Sequence, residues 1–282
     1  MLKKKELIFI REKIKMTIDE LHNYLFELLK IVMNICNEHN LDCFVDSGTL
    51  IGAVREKDFV PWDDDMDLLI FAEDYPRFKD IMNKYLPEGY KLVEPSEFYP
   101  GFYDFTVRIV CTDNKLRTET EEDKYYYNYQ NCVSTDVFLL SKASNNKLVQ
   151  RIDKIYVKLL YAMGMQFRYS LDYSKYTIMQ KILLKTLSHF KKVIDSSKIC
   201  KSFYKHISKH NSKNTYYRMT SNYTLNHIDI LPEDWYNEKA KGRIRDYEVN
   251  IPAEYDKVLS RAYGDYMNPP KDREAFVKHL EY

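Results

Sequence analysis

Four aspartates fall within a five-residue stretch of the chain, around a single methionine. Because side chains alternate faces along a strand, Asp63, Asp65 and Asp67 are expected to share one face. Asp64 and Met66 then take the opposite face. Three like charges on one face repel each other unless a cation lies between them, and oxygen ligands select Mg²⁺ or Mn²⁺ over zinc. The stretch therefore predicts a magnesium or manganese site at the end of a buried strand.

Gly48 and Thr49 precede this acidic stretch, with Thr49 sixteen residues ahead of Asp65. A glycine at the end of a strand permits a tight turn and the close approach of a phosphate to the backbone. Thr49 can cap the helix that follows, and the free N–H groups at a helix start favour anions. Arg55 can reach a phosphate with two hydrogen bonds. Alone, the Gly-Thr pair is an ordinary helix cap. With the aspartates it matches the nucleotidyltransferase pattern, in which a helix N-terminus and two strand carboxylates hold a metal-bound diphosphate.

That pattern requires a third carboxylate from a neighbouring strand. Asp136 is the best candidate, because an acidic residue inside a buried strand needs a compensating partner. Asp104 is the weaker candidate, since it lies near the start of a strand where water can reach it. Arg108 is a charged residue within an apolar strand. It can neutralise a phosphate or pair with one of the aspartates, and the two roles are compatible.

Periodicity and turn residues indicate the elements that must position these side chains. Thr17 and Glu20 form a capping box, and apolar residues then recur on one helix face from Leu21 to Cys36. Alternating patterns predict strands at 43–45, 68–71, 90–93, 105–110 and 133–140, with a helix at 76–86. Further along, the sequence predicts two or three amphipathic helices in 147–205, strand-like character in 216–252 and a short helix at 252–263.

The lysine-rich helical region at 147–205 has two interpretations. Its basic faces can attract an anionic membrane surface or an anionic polymer. They can equally be ordinary solvated helix faces. The sequence leaves both interpretations open.

Composition sets the class of protein. The chain has 282 residues, and its 43 Lys and Arg against 42 Asp and Glu give a net charge of +1, which does not indicate nucleic-acid binding. Its 25 Tyr and 14 Phe disfavour disorder. Five scattered cysteines without a C-x-x-C pair predict neither a zinc ribbon nor a disulfide framework. The apolar run at 7–10 is too short for a signal peptide, and no run is long enough for a transmembrane helix, so a cytoplasmic protein is expected.

Residues 48–55, followed by 61–67, resemble the signature of the LicD family of phosphotransferases, which also includes the fukutin-like sugar-phosphate transferases. The resemblance continues through 136–138 and 263–270, and so spans nearly the whole chain. It implies an α+β fold, with a nucleotidyltransferase-like mixed β-sheet core, flanking helices and an appended helical region. The expected division is an N-terminal helix plus catalytic core at 1–146, the helical region at 147–215, and a C-terminal segment at 216–282 that packs back on the core.

The resemblance also implies an activity. Bacterial members of the family move phosphocholine from CDP-choline to a sugar hydroxyl of teichoic acid or another surface glycan, and release CMP. Here it implies that Asp65 and Asp67 bind one or two Mg²⁺ (or Mn²⁺) ions, with Asp136 as third ligand and candidate base, and Asp63 as a supporting or second-metal group. The implied substrate-binding residues are Gly48, Thr49, Arg55 and Arg108, which would hold phosphate oxygens, and Trp62, an aromatic side chain that could meet the choline cation.

The implied partners are a CDP-alcohol donor, most of all CDP-choline, and a glycan acceptor that can be lipid-linked. No nucleic acid is implied, and a peripheral contact with the inner face of the cell membrane is compatible with the resemblance. One alternative is transfer of another phospho-alcohol, from CDP-glycerol or CDP-ribitol, or nucleotidyl transfer. A different class is a non-catalytic scaffold in surface-polysaccharide assembly, against which the intact Gly48, Asp65 and Asp136 argue.

Overall fold

A computed structural model describes residues 16–223 and 227–270 of the chain. Nine strands lie within these residues: β1 (Cys43–Val45), β2 (Asp67–Phe71), β3 (Tyr90–Val93), β4 (Val107–Lys115), β5 (Cys132–Ala143), β6 (Tyr217–Thr220), β7 (Ile230–Pro232), β8 (Lys239–Ile244) and β9 (Tyr247–Pro252). The same residues contain eight α-helices: α1 (Ile18–Glu38), α2 (Ser47–Ile51), α3 (Tyr75–Tyr85), α4 (Glu121–Tyr125), α5 (Lys147–Gly164), α6 (Ile178–Leu187), α7 (Ser196–Ile207) and α8 (Tyr255–Tyr263).

The first seven strands form one mixed sheet, in which the order β1-β2-β5-β4-β3 places the long strand β5 at the centre. β2 and β5 run parallel, and the other paired strands of this sheet are antiparallel. β6 pairs with the last four residues of β5, beyond the end of β4. Asn222 fills the gap between β4 and β6, since its side chain accepts from the N–H of Leu139 at 2.6 Å and donates to the carbonyl of Val137 at 3.1 Å. The predicted α+β class with a mixed sheet is confirmed.

Helix α1 lies against the sheet because one of its faces is apolar. The capping box predicted at its start is present: the Thr17 hydroxyl accepts from the Glu20 N–H at 3.3 Å, and the Glu20 carboxylate accepts from the Thr17 N–H at 2.9 Å. Leu28, Leu29 and Val32 are fully buried on its inner face. Truncating one such leucine to alanine typically costs about 2–5 kcal/mol. Burial of this face therefore fixes α1 firmly on the sheet.

The local pattern located most elements, and the strand ends differ where distant segments pair. β1 and β3 are confirmed residue for residue, β2 begins one residue earlier than predicted, and α3 is shifted by one residue. β4 begins two residues later than predicted and runs on to Lys115. β5 extends to Ala143 because β6, from a distant part of the chain, pairs with its end.

The lysine-rich region forms the three helices α5, α6 and α7. Helix α7 packs on the core through stacked rings: Phe203 lies 4.1 Å from Phe105, and Tyr204 lies 5.6 Å from Tyr75, between ring centroids. Within the described ranges no helix combines the length and the apolar character needed to span a bilayer. The division of the chain at 146 and 215 stays a prediction, and the N-terminal run at 7–10 lies outside the described residues.

Candidate active site

A row of charged residues crosses the sheet at the point where β2 begins. Asp67 on β2 is in register with Asp136 on β5, and Asp136 is in register with Arg108 on β4. Residues paired across strands project to the same face, so the three side chains lie on one side of the sheet. Asp46 follows β1 and extends the row, since its N–H donates to the Asp67 carbonyl at 3.0 Å. The structure therefore brings together the two strand carboxylates that the sequence predicted as partners.

The acidic stretch before β2 is an irregular segment, so the prediction that its aspartates lie within a strand is wrong for positions 63–65. Its backbone is nevertheless fixed at both ends. The His22 ring bonds to the Asp63 carbonyl at 2.7 Å, and the Met66 carbonyl accepts from the Thr135 hydroxyl and the Asp136 N–H, each at 2.9 Å. These contacts explain why an acidic segment with mutually repelling side chains keeps one conformation.

The predicted alternation of the aspartates is preserved in this segment. Asp63, Asp65 and Asp67 line one cleft of about 570 Å³. Asp64 and Met66 are buried and line a smaller cavity towards α1. Asp65 lines both cavities, and Asp136 and Arg108 line the smaller one. Extended backbone is enough to produce the alternation without sheet pairing.

Gly48 is required by the position of Asp63. A Cβ atom at Gly48 would lie 1.9 Å from the Asp63 Oδ2 atom, so any larger residue there would force the Asp63 carboxylate to move. The glycine therefore gives a carboxylate close access to helix α2, where the sequence analysis expected a phosphate.

Thr49 has a different role from the helix cap that was expected. Helix α2 begins at Ser47 with Asp46 as its N-cap residue, so Thr49 lies inside the helix and is buried. Its hydroxyl accepts a hydrogen bond from the Asp67 N–H at 2.9 Å. The bond ties α2 to the first residue of β2, and it keeps the glycine and the aspartates of the motif in one place. Direct contact of Thr49 with a phosphate stays a prediction.

The carboxylates repel each other strongly in this arrangement. Burial raises the pKa of the Asp67 carboxyl well above its ordinary value, and the negative charges of Asp65, Asp136, Asp63 and Asp46 raise it further. Removing water leaves these charges with little screening. The site as a whole therefore favours a bound cation.

Asp46 shows the same tendency in a milder form. Burial raises the pKa of Asp46, although hydrogen bonds from Tyr223 and Ser47 lower it in part. Tyr223 also stacks on Phe138 of β5, with ring centroids 4.1 Å apart. Neither Asp46 nor Tyr223 was predicted as a site residue. Asp46 lies two residues before the Gly-Thr pair, and this position was the available signal.

Arg108 pairs with two aspartates, which is one of the two roles left open by the sequence. Its guanidinium bonds to Asp104 at 2.7 and 2.9 Å and to Asp136 at 2.9 and 3.3 Å. Burial alone would raise the pKa of Asp104, but the charge and hydrogen bonds of Arg108 outweigh it and lower that pKa. Asp104 is therefore the second carboxylate of a buried ion-pair triad. Binding of a phosphate by Arg108 stays a prediction.

The acidic cleft, defined here as the 570 Å³ cavity beside the aspartates, has a basic and aromatic wall. The Arg55 guanidinium lies 5.8 Å from the Trp62 ring centroid, donates to the Tyr266 carbonyl and pairs with Glu56 at 2.7 Å. The predicted residues Arg55 and Trp62 thus lie together in the cleft. The aspartates contributed by the cleft lining outnumber its one arginine.

The chain segment after α8 closes the acidic cleft, with Tyr263, Asp265 and Tyr266 in the lining. Sequence reasoning did not name these as site residues, although the same stretch carries part of the family resemblance. Tyr263 is 45% exposed as a residue, but its hydroxyl end lies away from water. Burial of this end raises the pKa of the hydroxyl, and the charges of Asp67 and Asp46 raise it further. Tyr263 is therefore close to the carboxylate row.

A second cavity of about 360 Å³ lies on the other side of Tyr263, which lines both cavities. Its lining carries basic side chains, namely Lys154 and Lys158 from α5 and Arg261 from α8. Asp229 pairs with Arg261 at 2.7 Å and with Lys154 at 3.5 Å. We call this the basic cavity. Asp46 and Asp229 line it as well, so its three Lys and Arg face two aspartates, whereas the acidic cleft has four aspartates against one arginine.

A metal site was predicted from Asp63, Asp65, Asp67 and Asp136. Across residues 16–223 and 227–270, no three His, Cys, Asp or Glu side chains are close enough together to enclose an ion. The donor set still fits a hard divalent cation, because the ligands offered are carboxylate oxygens and their charges raise the pKa of Asp67. Metal binding by these residues stays a prediction.

Comparison of the sequence with known proteins identifies several relatives. A model described as LicD/FKTN/FKRP, nucleotidyltransferase domain, matches residues 40–148. The chain is 24% identical to the lipopolysaccharide cholinephosphotransferase LicD of Haemophilus influenzae over 275 residues, which make up 95% of this chain and 97% of that protein. Uncharacterised proteins of Rickettsia typhi and Rickettsia prowazekii are 35% identical over 68 and 66 residues, covering 22% and 25% of their own lengths. The domain match contains the whole charged row of the sheet.

Proposed function

We propose that this chain is a transferase of the LicD family, because the LicD/FKTN/FKRP model matches residues 40–148 and the relative from H. influenzae is 24% identical over 95% of the chain. It transfers phosphocholine from CDP-choline to a hydroxyl group of a cell-surface glycan, such as teichoic acid, capsule or lipopolysaccharide, and releases CMP. The relative from H. influenzae, which matches nearly the whole chain, is a cholinephosphotransferase for lipopolysaccharide. The observation that carries the proposal is the carboxylate row, in which Asp67 and Asp136 are paired in register on neighbouring strands. Asp67 lines the acidic cleft, and Asp65 lines both this cleft and the small cavity that contains Asp136.

The proposed reaction is a displacement at phosphorus. The oxygen of the acceptor hydroxyl forms a bond to the phosphorus of phosphocholine, while the bond from that phosphorus to the bridging oxygen of the diphosphate breaks. The electron pair of the broken bond stays on the departing CMP, and the hydroxyl proton passes to a carboxylate, for which Asp136 is the candidate. Such reactions depend on positioning and charge stabilisation more than on covalent chemistry by the protein.

Mg²⁺ is the proposed cofactor, with Mn²⁺ as the alternative. Asp65, Asp67 and Asp136 would hold it, with Asp63 as an additional ligand or support. When bound, the ion would withdraw negative charge from the diphosphate and stabilise the leaving CMP. Arg55 supplies a further cation from the protein itself, because its contacts with Trp62 and the Tyr266 carbonyl orient its guanidinium in the cleft.

The lining of the acidic cleft favours a cationic alcohol. Carboxylates attract a quaternary ammonium group, and aromatic rings bind such a group through their faces. Trp62, Tyr263 and Tyr266 line the cleft together with Asp63 and Asp265. The neutral alcohols glycerol and ribitol could hydrogen-bond to these groups but would gain no charge attraction and no cation–π contact. We therefore place choline ahead of them as the donor alcohol.

Isothermal titration of CDP-choline, CDP-glycerol, CDP-ribitol and CMP, first with Mg²⁺ and then with EDTA, tests the proposal. We expect CDP-choline to bind at least about tenfold tighter than CMP, since a cation–π contact in a desolvated site is worth roughly 1–2 kcal/mol. EDTA should abolish binding. Equal binding of all four compounds would support a site for cytidine and phosphate but would contradict choline as the donor alcohol. No binding in the presence of metal would overturn the transferase and favour the non-catalytic scaffold.

A matched pair of variants separates the choline contact from general damage. Trp62→Leu should lower the affinity for CDP-choline to near that of CDP-glycerol and leave CMP binding unchanged. Trp235→Leu removes the second tryptophan, which packs on the core and is absent from the lining of both cavities. It should leave the preference for choline intact, and an equal loss in both variants would contradict a choline contact at Trp62.

A further inference from the structure

The helical part of the chain carries a large positive charge that the whole-chain total hides. Residues 147–213 contain fifteen Lys and Arg but only three Asp and no Glu, a net charge of +12. Since the chain as a whole has a charge of +1, the remaining residues carry −11. Opposite charges are thus segregated between two parts of one polypeptide.

Helix α5 presents three stripes along its length. A buried stripe packs on the protein, with Asp153 and Val157 among its members. A second stripe is apolar and exposed, and consists of Leu148, Ile152, Ile155 and Leu159, whose exposed fractions are 65%, 55%, 58% and 39%. A third stripe is basic and consists of Lys147, Arg151, Lys154 and Lys158. Each basic residue directly precedes an apolar one, so the two stripes lie side by side on the helix surface.

Helix α6 repeats the combination. Ile178, Met179, Ile182 and Leu183 are exposed by 76%, 77%, 58% and 41%. Lys181 and Lys185 lie among them. Helix α6 packs beside α5. Exposed apolar clusters of this extent mark a binding surface, because monomeric proteins rarely leave them in contact with water.

We propose that this surface docks on an anionic lipid bilayer. We call it the lipid face and define it by Leu148, Ile152, Ile155, Leu159, Ile178 and Ile182. The charge of this surface argues against two other partners. A second copy of the chain would bring the same +12 segment, and residues 1–15 are themselves basic, with six Lys and Arg against two Glu. An anionic surface attracts the basic stripe while the apolar stripe enters the boundary between headgroups and acyl chains.

The lipid face adjoins the substrate cavities. Lys154 and Lys158 belong to the basic stripe of α5 and also line the basic cavity. A lipid-anchored glycan would therefore be presented next to the carboxylate row, an extension that rests on the proposed function. Docking itself does not rest on it.

Co-sedimentation of the full chain with vesicles tests docking. Vesicles of phosphatidylcholine with a quarter phosphatidylglycerol should bind at least about tenfold more tightly than pure phosphatidylcholine, because each basic residue near an anionic surface strengthens binding roughly fivefold. Binding should fall as salt rises from 0.1 to about 0.5 M. Equal binding to both vesicles, or none to either, would overturn the proposal.

Two uncharged double variants test whether the apolar side chains of the lipid face insert into the bilayer. Ile152→Ala/Ile155→Ala leaves the charge unchanged and should weaken binding to the anionic vesicles by roughly tenfold through lost apolar contact. Tyr24→Ala/Tyr85→Ala removes two exposed rings from α1 and α3 and should change binding by less than twofold. Similar losses in both variants would overturn the lipid face. A concentration-dependent dimer that disappears in the isoleucine variant would instead assign the face to a second copy.

CDP-choline titration of the isoleucine variant keeps the two proposals separate. Neither isoleucine lines the acidic cleft or the basic cavity. The affinity for CDP-choline should therefore match that of the natural chain, whether or not vesicles bind.

Discussion

The sheet and the lysine-rich helices differ in the sign of their charges and in how far those charges are buried. On the sheet, carboxylates are buried beside one another, so that the pKa of Asp67 is raised by burial and by its neighbours. On the helices, cations are exposed to water and lie beside apolar side chains that are exposed as well. The carboxylates on the sheet repel one another, and a bound cation would reduce this repulsion. The helices expose basic and apolar side chains, which a partner with anionic and apolar groups could cover.

The comparison shows that a net charge near zero can conceal two regions of opposite charge. A total of +1 is the sum of +12 in residues 147–213 and −11 elsewhere. The sequence reasoning used the total only to exclude nucleic-acid binding. The distribution carries more information than the total, because fields act locally within about a Debye length of 8–10 Å at moderate ionic strength.

The largest effect is expected from neutralising the centre of the carboxylate row. Asp67→Asn should lower turnover more than about 100-fold, since even residues that only support metal ligands are worth about 10–100-fold. The same change should stabilise the metal-free protein, because it removes a buried charge that its neighbours repel. Activity and thermal unfolding in EDTA measure the two effects. Asp80→Asn, on the exposed side of α3, is the matched control and should change neither.

The pH dependence of unfolding sharpens this prediction. A carboxyl whose pKa is higher in the folded than in the unfolded chain binds its proton more tightly when folded. Stability is therefore greatest below the unfolded value, 3.8 for Asp67, and declines as pH rises through the folded value. In EDTA, the contribution of Asp67 to the melting temperature should fall as pH rises above 3.8, and this fall should be absent in Asp67→Asn. A steeper fall in the variant would contradict the raised pKa.

The next largest effect concerns the ion-pair triad beside the row. Arg108→Met removes the buried cation that pairs with Asp104 and with the half-buried Asp136, and should cost about 3–5 kcal/mol in the free energy of unfolding, measured by urea denaturation. Lys158→Met removes a cation of similar length from the exposed basic stripe and should cost less than about 0.5 kcal/mol. A similar cost at both positions would contradict the expectation that the buried cation contributes far more to stability than the solvated one.

Much of the site could be predicted because its residues violate local patterns. Asp136 and Arg108 are charges inside apolar strands, and such residues need a partner whatever the fold. The strand register then decides which partner, and register depends on pairing between distant segments. This is why the double pairing of Arg108 and the bond from the Asp67 N–H to Thr49 were not predicted.

The parts that were missed come from segments far apart in the chain. Tyr223 reaches Asp46 across 177 residues, and Tyr263 closes the cleft from the end of α8. No local period indicates such contacts. The two interpretations of the lysine-rich helices could not be separated from the sequence. A periodic pattern shows which residues share a stripe of the helix, but only tertiary contacts show which stripe is buried against the protein. Burial of Asp153 and Val157 decides this for α5, and it leaves Ile152 and Ile155 exposed.

The smallest effect tests why a glycine stands at position 48. Gly48→Ala should destabilise the protein by about 1–3 kcal/mol, because its Cβ would collide with the Asp63 carboxylate, 1.9 Å away. In an Asp63→Ala background the collision is gone, and the same change should become neutral or stabilise by up to about 1 kcal/mol, since alanine favours a helix over glycine. A double-mutant cycle in urea measures the coupling. An equal cost in both backgrounds would mean that Gly48 is needed for the backbone of α2, and that the carboxylate row does not depend on this contact.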